Sequence, residues 1–221
     1  CVSDVYRTIM RQKLLFMQAP TGVGKTISTI FPAVKAVGEE LADRIFYLTA
    51  KTITATVAKE TFALLEKNGY RAKTIQITAK EKLCPCDEME CNPVTCPYAK
   101  GHFDRVNDAV FDLLHRCEMI ERDDILSQAD RYTVCPFELC LDTASWCDNV
   151  ICDYNYVFDP NVYLKRFFQE GIKGDYIFLI DEAHNMVERS RQMYSAQIYK
   201  EDFLTVKRIM KEHSRSIEKA L

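Results

Sequence analysis

The sequence predicts an α/β fold in which a parallel sheet is flanked by helices, and three observations support this prediction. The first is the alternation of strand and helix patterns along residues 1–79. The second is a glycine-rich loop directly before the first of these helices, and the third is an apolar run at 176–180 that leads into two carboxylates. Alternation at these lengths is typical of right-handed βαβ units, so we interpret residues 1–79 as half of a doubly wound sheet.

Each element is predicted from its hydrophobic period and its end signals. Apolar residues at helical spacing indicate helices, and short apolar runs between turn signals indicate strands. The helices are predicted at 27–41, 54–68 and after Ser195. The strands are predicted at 44–49, 72–77, 150–152 and 176–180, and the last is expected to be buried.

The glycine-rich loop is the sequence Ala19-Pro20-Thr21-Gly22-Val23-Gly24-Lys25-Thr26, preceded by the apolar run 14–17, which is predicted to be a strand. The two glycines allow a tight turn that aims backbone N–H groups at one point, and the following helix adds its positive end. This pattern predicts a nucleotide-phosphate site. Lys25 is expected to reach the β- and γ-phosphates, and the Thr26 hydroxyl to bind Mg²⁺. The residues expected to bind the nucleotide are Ala19, Thr21, Gly22, Val23, Gly24, Lys25 and Thr26.

The run at 176–180 ends in Asp181-Glu182-Ala183-His184. A strand that ends in two carboxylates delivers them to the carboxyl edge of the sheet, where the phosphate loop also opens. Asp181 is expected to bind Mg²⁺ together with Thr26, and Glu182 to polarise the attacking water. His184 is assigned a coupling role. An exposed acidic turn is the alternative for these four residues taken alone, and the phosphate loop in the same chain disfavours it.

Composition limits the classes of protein that need to be considered. The chain has 221 residues, of which 48% are hydrophobic, so it can bury one sizeable core. It contains neither an apolar run of about 20 residues nor a secretory signal pattern, so we expect a cytoplasmic protein and no membrane partner. The net charge of −3 neither favours nor excludes nucleic-acid binding, because a basic groove can be present in a protein whose total charge is negative.

Eight of the ten cysteines lie between residues 80 and 147, which interrupts the strand and helix alternation and predicts an insertion. Without an export signal, so many cysteines indicate metal ligation or reduced thiols. Four thiolates suit either Zn²⁺ or an iron–sulfur cluster, and spacing alone leaves the metal open. Cys140 and Cys152 have apolar neighbours and are expected to be buried without a ligand.

The motifs together, in their order along the chain, resemble those of a known family. They are A-P-T-G-V-G-K-T, L-T-A-K-T, the cysteine-rich insert, D-Y-N-Y-V-F-D-P and D-E-A-H-N. This series is similar to that of the iron–sulfur superfamily 2 helicases, the family of xeroderma pigmentosum group D protein, and the bacterial DinG-like enzymes are the nearest branch. Ala19, in place of a first glycine, also resembles the helicase form of the loop. The resemblance covers almost the whole chain.

The resemblance implies a RecA-like motor lobe formed by residues 1–79 and 148–195. It implies an iron–sulfur domain at 80–147 and the start of a helical arch at 196–221. The implied ligands of a [4Fe–4S] cluster are Cys84, Cys91, Cys96 and Cys135, and Cys86 is a rival for the first or second place. Thr49, Lys51 and Thr52 would contact the DNA backbone. Tyr98, Phe103 and Arg105 of the insert could contact DNA or pack in the core.

The implied activity is that of an ATP-dependent DNA helicase that moves 5′ to 3′ on single-stranded or forked DNA and takes part in DNA repair. Such a motor needs a second RecA-like lobe from the same parent chain, so the chain alone is expected to hydrolyse ATP poorly. The alternative is a nucleotide-dependent nucleic-acid-binding switch that contains structural zinc. Stimulation of ATP hydrolysis by single-stranded DNA distinguishes the two.

Overall fold

A computed structural model describes residues 1–20, 22–50 and 52–211 of the chain. The helices are α1 (Val2–Met10), α2 (Lys25–Gly38), α3 (Thr52–Lys67), α4 (Lys80–Leu83), α5 (His102–Arg116), α6 (Arg122–Tyr132), α7 (Pro136–Ala144), α8 (Asn155–Phe158), α9 (Lys165–Phe168), α10 (Met186–Met193) and α11 (Lys200–Lys211). The strands are β1 (Arg44–Leu48), β2 (Thr74–Gln76), β3 (Met119–Ile120), β4 (Asn149–Cys152) and β5 (Tyr176–Ile180). A short 3₁₀ helix spans Ala183–Asn185.

The five strands form one parallel sheet in the order β3-β2-β4-β1-β5. In the register of this sheet, Tyr47 of β1 lies between Ile151 of β4 and Leu179 of β5. The α/β fold with a parallel sheet is therefore confirmed. The predicted helices and the four predicted strands are present, with ends shifted by a few residues.

Alternation along β1 divides its side chains between the two faces of the sheet, as the pleat requires. Ile45 and Tyr47 pack against α2 and α3, which contribute buried residues such as Ile30 and Phe62. Phe46 and Leu48 point to the opposite face, where they join the largest core cluster. Helices thus cover both faces of the sheet.

The segment 80–147, predicted to be an insertion, supplies both a strand and core residues to this sheet. Strand β3 pairs with β2, and α5, α6 and α7 bury apolar residues against the face that contains Phe46. Leu113, Ile125 and Leu139 are completely or almost completely buried there. The segment shares its hydrophobic core with the sheet, while its definition as a separate iron–sulfur domain stays a prediction.

Two expectations about strands are wrong. Within the described chain, residues 14–17 form no hydrogen-bonded ladder, and the side chains of Leu14 and Phe16 are 87% and 88% exposed. Strand β5 was expected to be buried, yet Phe178 is 40% exposed and Ile180 is 38% exposed. The reason is that β5 pairs only with β1 in the described sheet and so forms its edge.

The helical pattern after Ser195 is confirmed by α11, whose apolar side chains, such as Phe203 and Ile209, are exposed. The predicted continuation of this helix over 212–221 lies outside the described residues. None of the helices found within residues 1–20, 22–50 and 52–211 has the length and apolar character that crossing a bilayer requires.

Phe46 lies at the centre of an aromatic group on β1, β5 and α9. Its ring centroid is 5.2 Å from those of Phe167 and Phe168, 5.4 Å from that of Tyr176 and 5.5 Å from that of Phe178. Because Phe46 is completely buried, this group joins the edge strand to the centre of the sheet. It is therefore a main determinant of how β5 is held.

We expect Phe46→Ala to lower the free energy of unfolding by about 3–5 kcal/mol, because it removes a buried ring and leaves a cavity. Phe103, which is 85% exposed, provides the control. Phe103→Ala should change stability by about 0.5 kcal/mol or less. Urea unfolding followed by circular dichroism measures both, and equal effects of the two substitutions would contradict the central role of Phe46.

Candidate nucleotide site and adjacent groove

The glycine-rich loop leads directly into α2, which begins at Lys25. Gly22 and Gly24 have φ angles of 83° and 73°, a left-handed conformation that favours glycine. Since the first N–H groups of a helix have no intrahelical partner, the start of α2 presents donors toward the loop. Ala19, Val23 and Lys25 line an open hollow of about 470 Å³ there. Thr21 lies outside the described residues.

The structure brings Lys25 and Glu182 together from opposite ends of the chain. The Lys25 Nζ atom is 3.2 Å from Glu182 Oε1 and donates a hydrogen bond to it. Two features account for this proximity. The backbone N–H of Asp181 donates to the carbonyl of Leu48 just past the end of β5, and α2 packs against β1 and β5. The phosphate loop and the D-E-A-H turn therefore both lie at the carboxyl ends of the parallel strands.

Tyr47 connects the two residues predicted to bind magnesium. Its buried side chain interacts with the side chains of both Thr26 and Asp181. Burial, followed by the charge of Asp181, raises the pKa of Tyr47, so the hydroxyl stays protonated and can donate. This residue could not be identified from the sequence, because the continuous apolar run 45–48 already explains a tyrosine at this position.

The turn that carries Glu182 has an unusual backbone. Glu182 has φ 50° and ψ 44°, a left-handed conformation that is uncommon for a residue other than glycine. Its carbonyl accepts hydrogen bonds from the Asn185 backbone N–H at 2.9 Å and from Asn185 Nδ2 at 3.1 Å. His184 Nδ1 lies 3.5 Å from Glu182 Oε2, although the His184 side chain is 73% exposed. His184 thus contacts the predicted catalytic carboxylate from the solvent side.

The D-Y-N-Y segment at 153–156, which follows β4, contacts the backbone of this turn. The Tyr154 hydroxyl donates to the carbonyl of Asp181, and it lies 3.3 Å from the carbonyl of Glu182. Arg189 of α10 donates to Asp153 Oδ1 at 2.9 Å and to Asn155 Oδ1 at 3.0 Å. The sequence marked this segment as a family motif, but it did not indicate these contacts.

A groove of about 930 Å³ opens beside this segment, at the carboxyl ends of β1, β2 and β4. It contains both basic and acidic side chains. The basic residues are Lys59, Lys80, Lys82, Arg122, Lys165 and Arg166, and the acidic ones are Glu81, Glu121 and Asp153. Ion pairs already neutralise part of the positive charge, since Lys59 lies 3.0 Å from Glu121, and Arg166 lies 2.8–2.9 Å from Asp142 and Glu138.

Of the three residues predicted to contact DNA, Thr49 lines this groove. Its backbone N–H donates to the carbonyl of Cys152, and its hydroxyl shares a hydrogen bond with that of Thr54. Thr49 is only 6% exposed, so its side chain is less available than expected. Lys51 lies outside the described residues, as does the side chain of Thr52.

All ten cysteines are within the described residues and are free thiols. Cys86 interacts with both Cys84 and Cys96, and desolvation followed by these contacts raises the pKa of Cys86 to about 11. Cys91 lies near Cys135 and hydrogen bonds with Lys80, which raises the pKa of that lysine and favours its charged form. Five thiols thus form two interacting groups, one of Cys84, Cys86 and Cys96 and one of Cys91 and Cys135.

These thiols fit a soft metal or an iron–sulfur cluster by donor type. Their arrangement does not match a metal site. In the part of the chain that the structure describes, no three His, Cys, Asp or Glu side chains form a group that could hold a metal ion. Cys140, Cys147 and Cys152 are buried in the protein core, as was expected for Cys140 and Cys152. The ligand set Cys84, Cys91, Cys96 and Cys135 stays a prediction.

Arg105 and His102, at the start of α5, tie the cysteine-rich loops together. The Arg105 guanidinium donates to the carbonyls of Lys100, Tyr132 and Thr133 at 2.6–2.8 Å. His102 is 4% exposed, and its Nδ1 accepts a hydrogen bond from the Cys135 N–H at 3.2 Å. Burial lowers the pKa of His102 and so favours the neutral ring that this bond needs. Arg105, considered above as a DNA contact, is instead committed to backbone carbonyls.

Comparison with known proteins adds evidence independent of the geometry. The DEAD_2 family model matches residues 55–203, more than half of the chain. The helicase subunit XPD/RAD3 of general transcription and DNA repair factor IIH from Saccharomyces cerevisiae is 23% identical over 217 residues, covering 83% of this chain and 28% of that protein. A Fanconi anemia group J protein homolog from Gallus gallus is 29% identical over 76 residues, covering 34% of this chain and 6% of that protein.

Two solved structures have the same fold. An XPD helicase superposes with a TM-score of 0.58 at 17% identity, covering 85% of this chain and 32% of that chain. A truncated XPD gives a TM-score of 0.55 at 17% identity, covering 84% of this chain and 52% of that chain. The chain spans less than a third of the length of the curated relatives that it matches.

We expect Arg105→Ala to lower the free energy of unfolding by about 1–3 kcal/mol, because it leaves backbone carbonyls without a charged donor. Hydrogen exchange should accelerate in segments 96–101 and 132–135 in particular. Arg131, whose side chain is 58% exposed and pairs with Asp112, is the control. Arg131→Ala should cost about 1 kcal/mol or less. Unchanged exchange in both segments after Arg105→Ala would show that Arg105 does not tie them.

Proposed function

Since this chain belongs to the DEAD_2 family, within the XPD-like superfamily 2 helicases, we propose that it forms the nucleotide-binding motor lobe of an ATP-dependent DNA helicase. The observation that carries the proposal is the 3.2 Å contact between Lys25 Nζ and Glu182 Oε1. ATP hydrolysis needs two components close together: a phosphate-loop lysine and an acidic pair at the carboxyl end of a strand. Neither component alone would indicate this function.

In the proposed mechanism, the N–H groups of residues 22–26 and the start of α2 bind the phosphates of ATP. Lys25 moves from Glu182 to the β- and γ-phosphates, which offer more negative charge than one carboxylate. Glu182 is thereby released to orient the attacking water. Thr26 and Asp181 would hold Mg²⁺, which neutralises phosphate charge when it is bound. Tyr47 and the exposed His184 orient the two carboxylates.

We further propose that single-stranded DNA or one strand of a fork occupies the groove beside Thr49. Lys80, Lys82 and Lys165 line this groove and can contact phosphates. Lys51 and Thr52, which follow Thr49 in the L-T-A-K-T motif, are proposed to contact the same backbone. Movement from 5′ to 3′, a place in the bacterial DinG-like branch, and an arginine supplied by a second RecA-like lobe of the complete gene product are parts of the same proposal.

The cysteine-rich region is proposed to hold a [4Fe–4S] cluster through Cys84, Cys91, Cys96 and Cys135. A bound cluster would join the loop region at 84–96, which has little apolar core of its own, to the start of α7. Two features support this set: Lys80 lies beside Cys91, and His102 holds the backbone of Cys135. The proposed domains are a motor lobe at 1–79 and 148–195, an iron–sulfur segment at 80–147, and an arch that begins at 196–221.

We expect Lys25→Ala and Glu182→Gln each to lower the turnover number for ATP in the complete gene product by about 10²–10⁴-fold. Only Lys25→Ala should weaken nucleotide binding strongly, because the lysine neutralises charge in the ground state while the glutamate acts on water in the transition state. A fluorescent ATP analogue measures binding, and phosphate release measures turnover.

Lys35 of the same helix is the matched control, since its side chain is 56% exposed and pairs with Glu39. Lys35→Ala should leave both quantities unchanged. Near-normal turnover of Glu182→Gln would refute the role of Glu182. Absence of ATP hydrolysis from the unaltered protein, with and without single-stranded DNA, would refute the helicase proposal itself.

For the cluster, we expect single Cys→Ser changes at Cys84, Cys91, Cys96 and Cys135 to abolish bound iron and visible absorbance, because each removes one of four ligands. Protein purified without oxygen is used, and nucleotide binding should survive in each variant. Cys117→Ser is the control and should retain its iron. Stoichiometric zinc in place of iron would favour a zinc-containing switch, and loss of iron in Cys86→Ser would show that the ligand set is wrong.

A further inference from the structure

Tyr154 stands between the groove and the turn that carries Glu182. Its side chain is completely buried, yet its hydroxyl contacts the backbone carbonyls of Asp181 and Glu182. A buried hydroxyl needs a hydrogen-bond partner, and here both partners belong to the predicted catalytic turn. The position of this turn is therefore linked to the position of residue 154.

The turn depends on such contacts because of its backbone. Glu182 adopts a left-handed conformation with φ 50°, which a residue with a side chain keeps only when its surroundings impose it. The contacts that impose it come from two sides. Asn185 binds the Glu182 carbonyl from within the turn, and Tyr154 binds it from the D-Y-N-Y segment.

The residues on either side of Tyr154 face the groove. Asp153 and Asn155 both line it, and their side-chain oxygens also accept hydrogen bonds from Arg189 of α10. Helix α10 follows the turn directly, beginning at Met186. Segment 153–155 thus has the groove on one side and is joined to the segment 181–189 at both ends.

We infer that Tyr154 is a positioning residue through which occupation of the groove sets the orientation of Glu182. The inference rests on the proposed function, in which the groove holds single-stranded DNA and the phosphate loop holds ATP. DNA that contacts Asp153 or Asn155 moves segment 153–155, and the Tyr154 hydroxyl carries this displacement to the carbonyls of Asp181 and Glu182. The Glu182 carboxylate then changes its position relative to Lys25 and the attacking water.

The test is Tyr154→Phe in the complete gene product, since this change removes one oxygen and keeps the ring. Tyr70→Phe is the matched control. The Tyr70 hydroxyl hydrogen bonds with Asn149 at the opposite end of β4, so the control loses an equivalent bond far from the turn. A fluorescent ATP analogue and an oligo-dT strand measure binding, and phosphate release with and without oligo-dT measures stimulation.

We expect Tyr154→Phe to lower the stimulation of turnover by oligo-dT about fivefold or more, a typical size for coupling between two sites. Binding of nucleotide and of oligo-dT should each stay within about threefold of the unaltered protein, since no group that touches either ligand is removed. Tyr70→Phe should retain full stimulation. A purely structural role would instead weaken both binding steps together with turnover.

Each other outcome overturns the inference. Unchanged stimulation in Tyr154→Phe shows that the hydroxyl carries no coupling, and equal losses in both variants show a general effect on stability. If the unaltered protein hydrolyses ATP without any stimulation by oligo-dT, the proposed function and the inference both fail. Should Tyr154→Phe not fold, the double variant Asp153→Ala/Asn155→Ala removes the groove contacts on which the inference relies, and unchanged stimulation in that variant overturns the inference equally.

Discussion

The parallel pairing of β1 with β5 determines where the two predicted catalytic carboxylates, Asp181 and Glu182, lie. The pairing carries Asp181 past the end of Leu48, so the turn that follows β5 meets the loop before α2. Lys25 and Glu182 are 157 positions apart in the sequence and 3.2 Å apart in space, because this ladder places Glu182 at the carboxyl end of β1 and α2 packs against β1 and β5. The aromatic group around Phe46 stabilises the same ladder, since its rings come from β1, β5 and α9.

The cysteine-rich segment is attached to the same sheet and not only to itself. Helices α5, α6 and α7 bury their apolar faces against the side that contains Phe46, and β3 extends the sheet beyond β2. The cysteines at 84–96 lie on loops, where little apolar packing is available. Hydrogen bonds from Arg105 and to His102 hold the backbone of these loops where apolar packing is scarce. This explains why the Arg105 side chain points inward and not to solvent.

The predicted nucleotide site and the groove are adjacent, and one segment of the chain contacts both. Segment 153–155 separates them, with Tyr154 directed to the turn and its two neighbours lining the groove. In the ion pair between Lys25 and Glu182, each charge compensates the other. In the proposed mechanism, the phosphates of ATP compete for the same lysine, so nucleotide binding would change the surroundings of Glu182 directly.

The sequence by itself determined the local features of this protein. Glycine positions and the apolar period specify the loop and α2, and hydrophobic runs specify β1, β4 and the strand that leads into Asp181, because all of these depend on neighbouring residues. Only the tertiary structure decided the strand order, the exposed edge of β5 and the absence of a ladder at 14–17 in the described chain. It also decided the contacts of Tyr47, Tyr154 and Arg105. These features depend on residues far apart in the chain, and a hydrophobic pattern contains no information on which distant group a buried hydroxyl or guanidinium will meet.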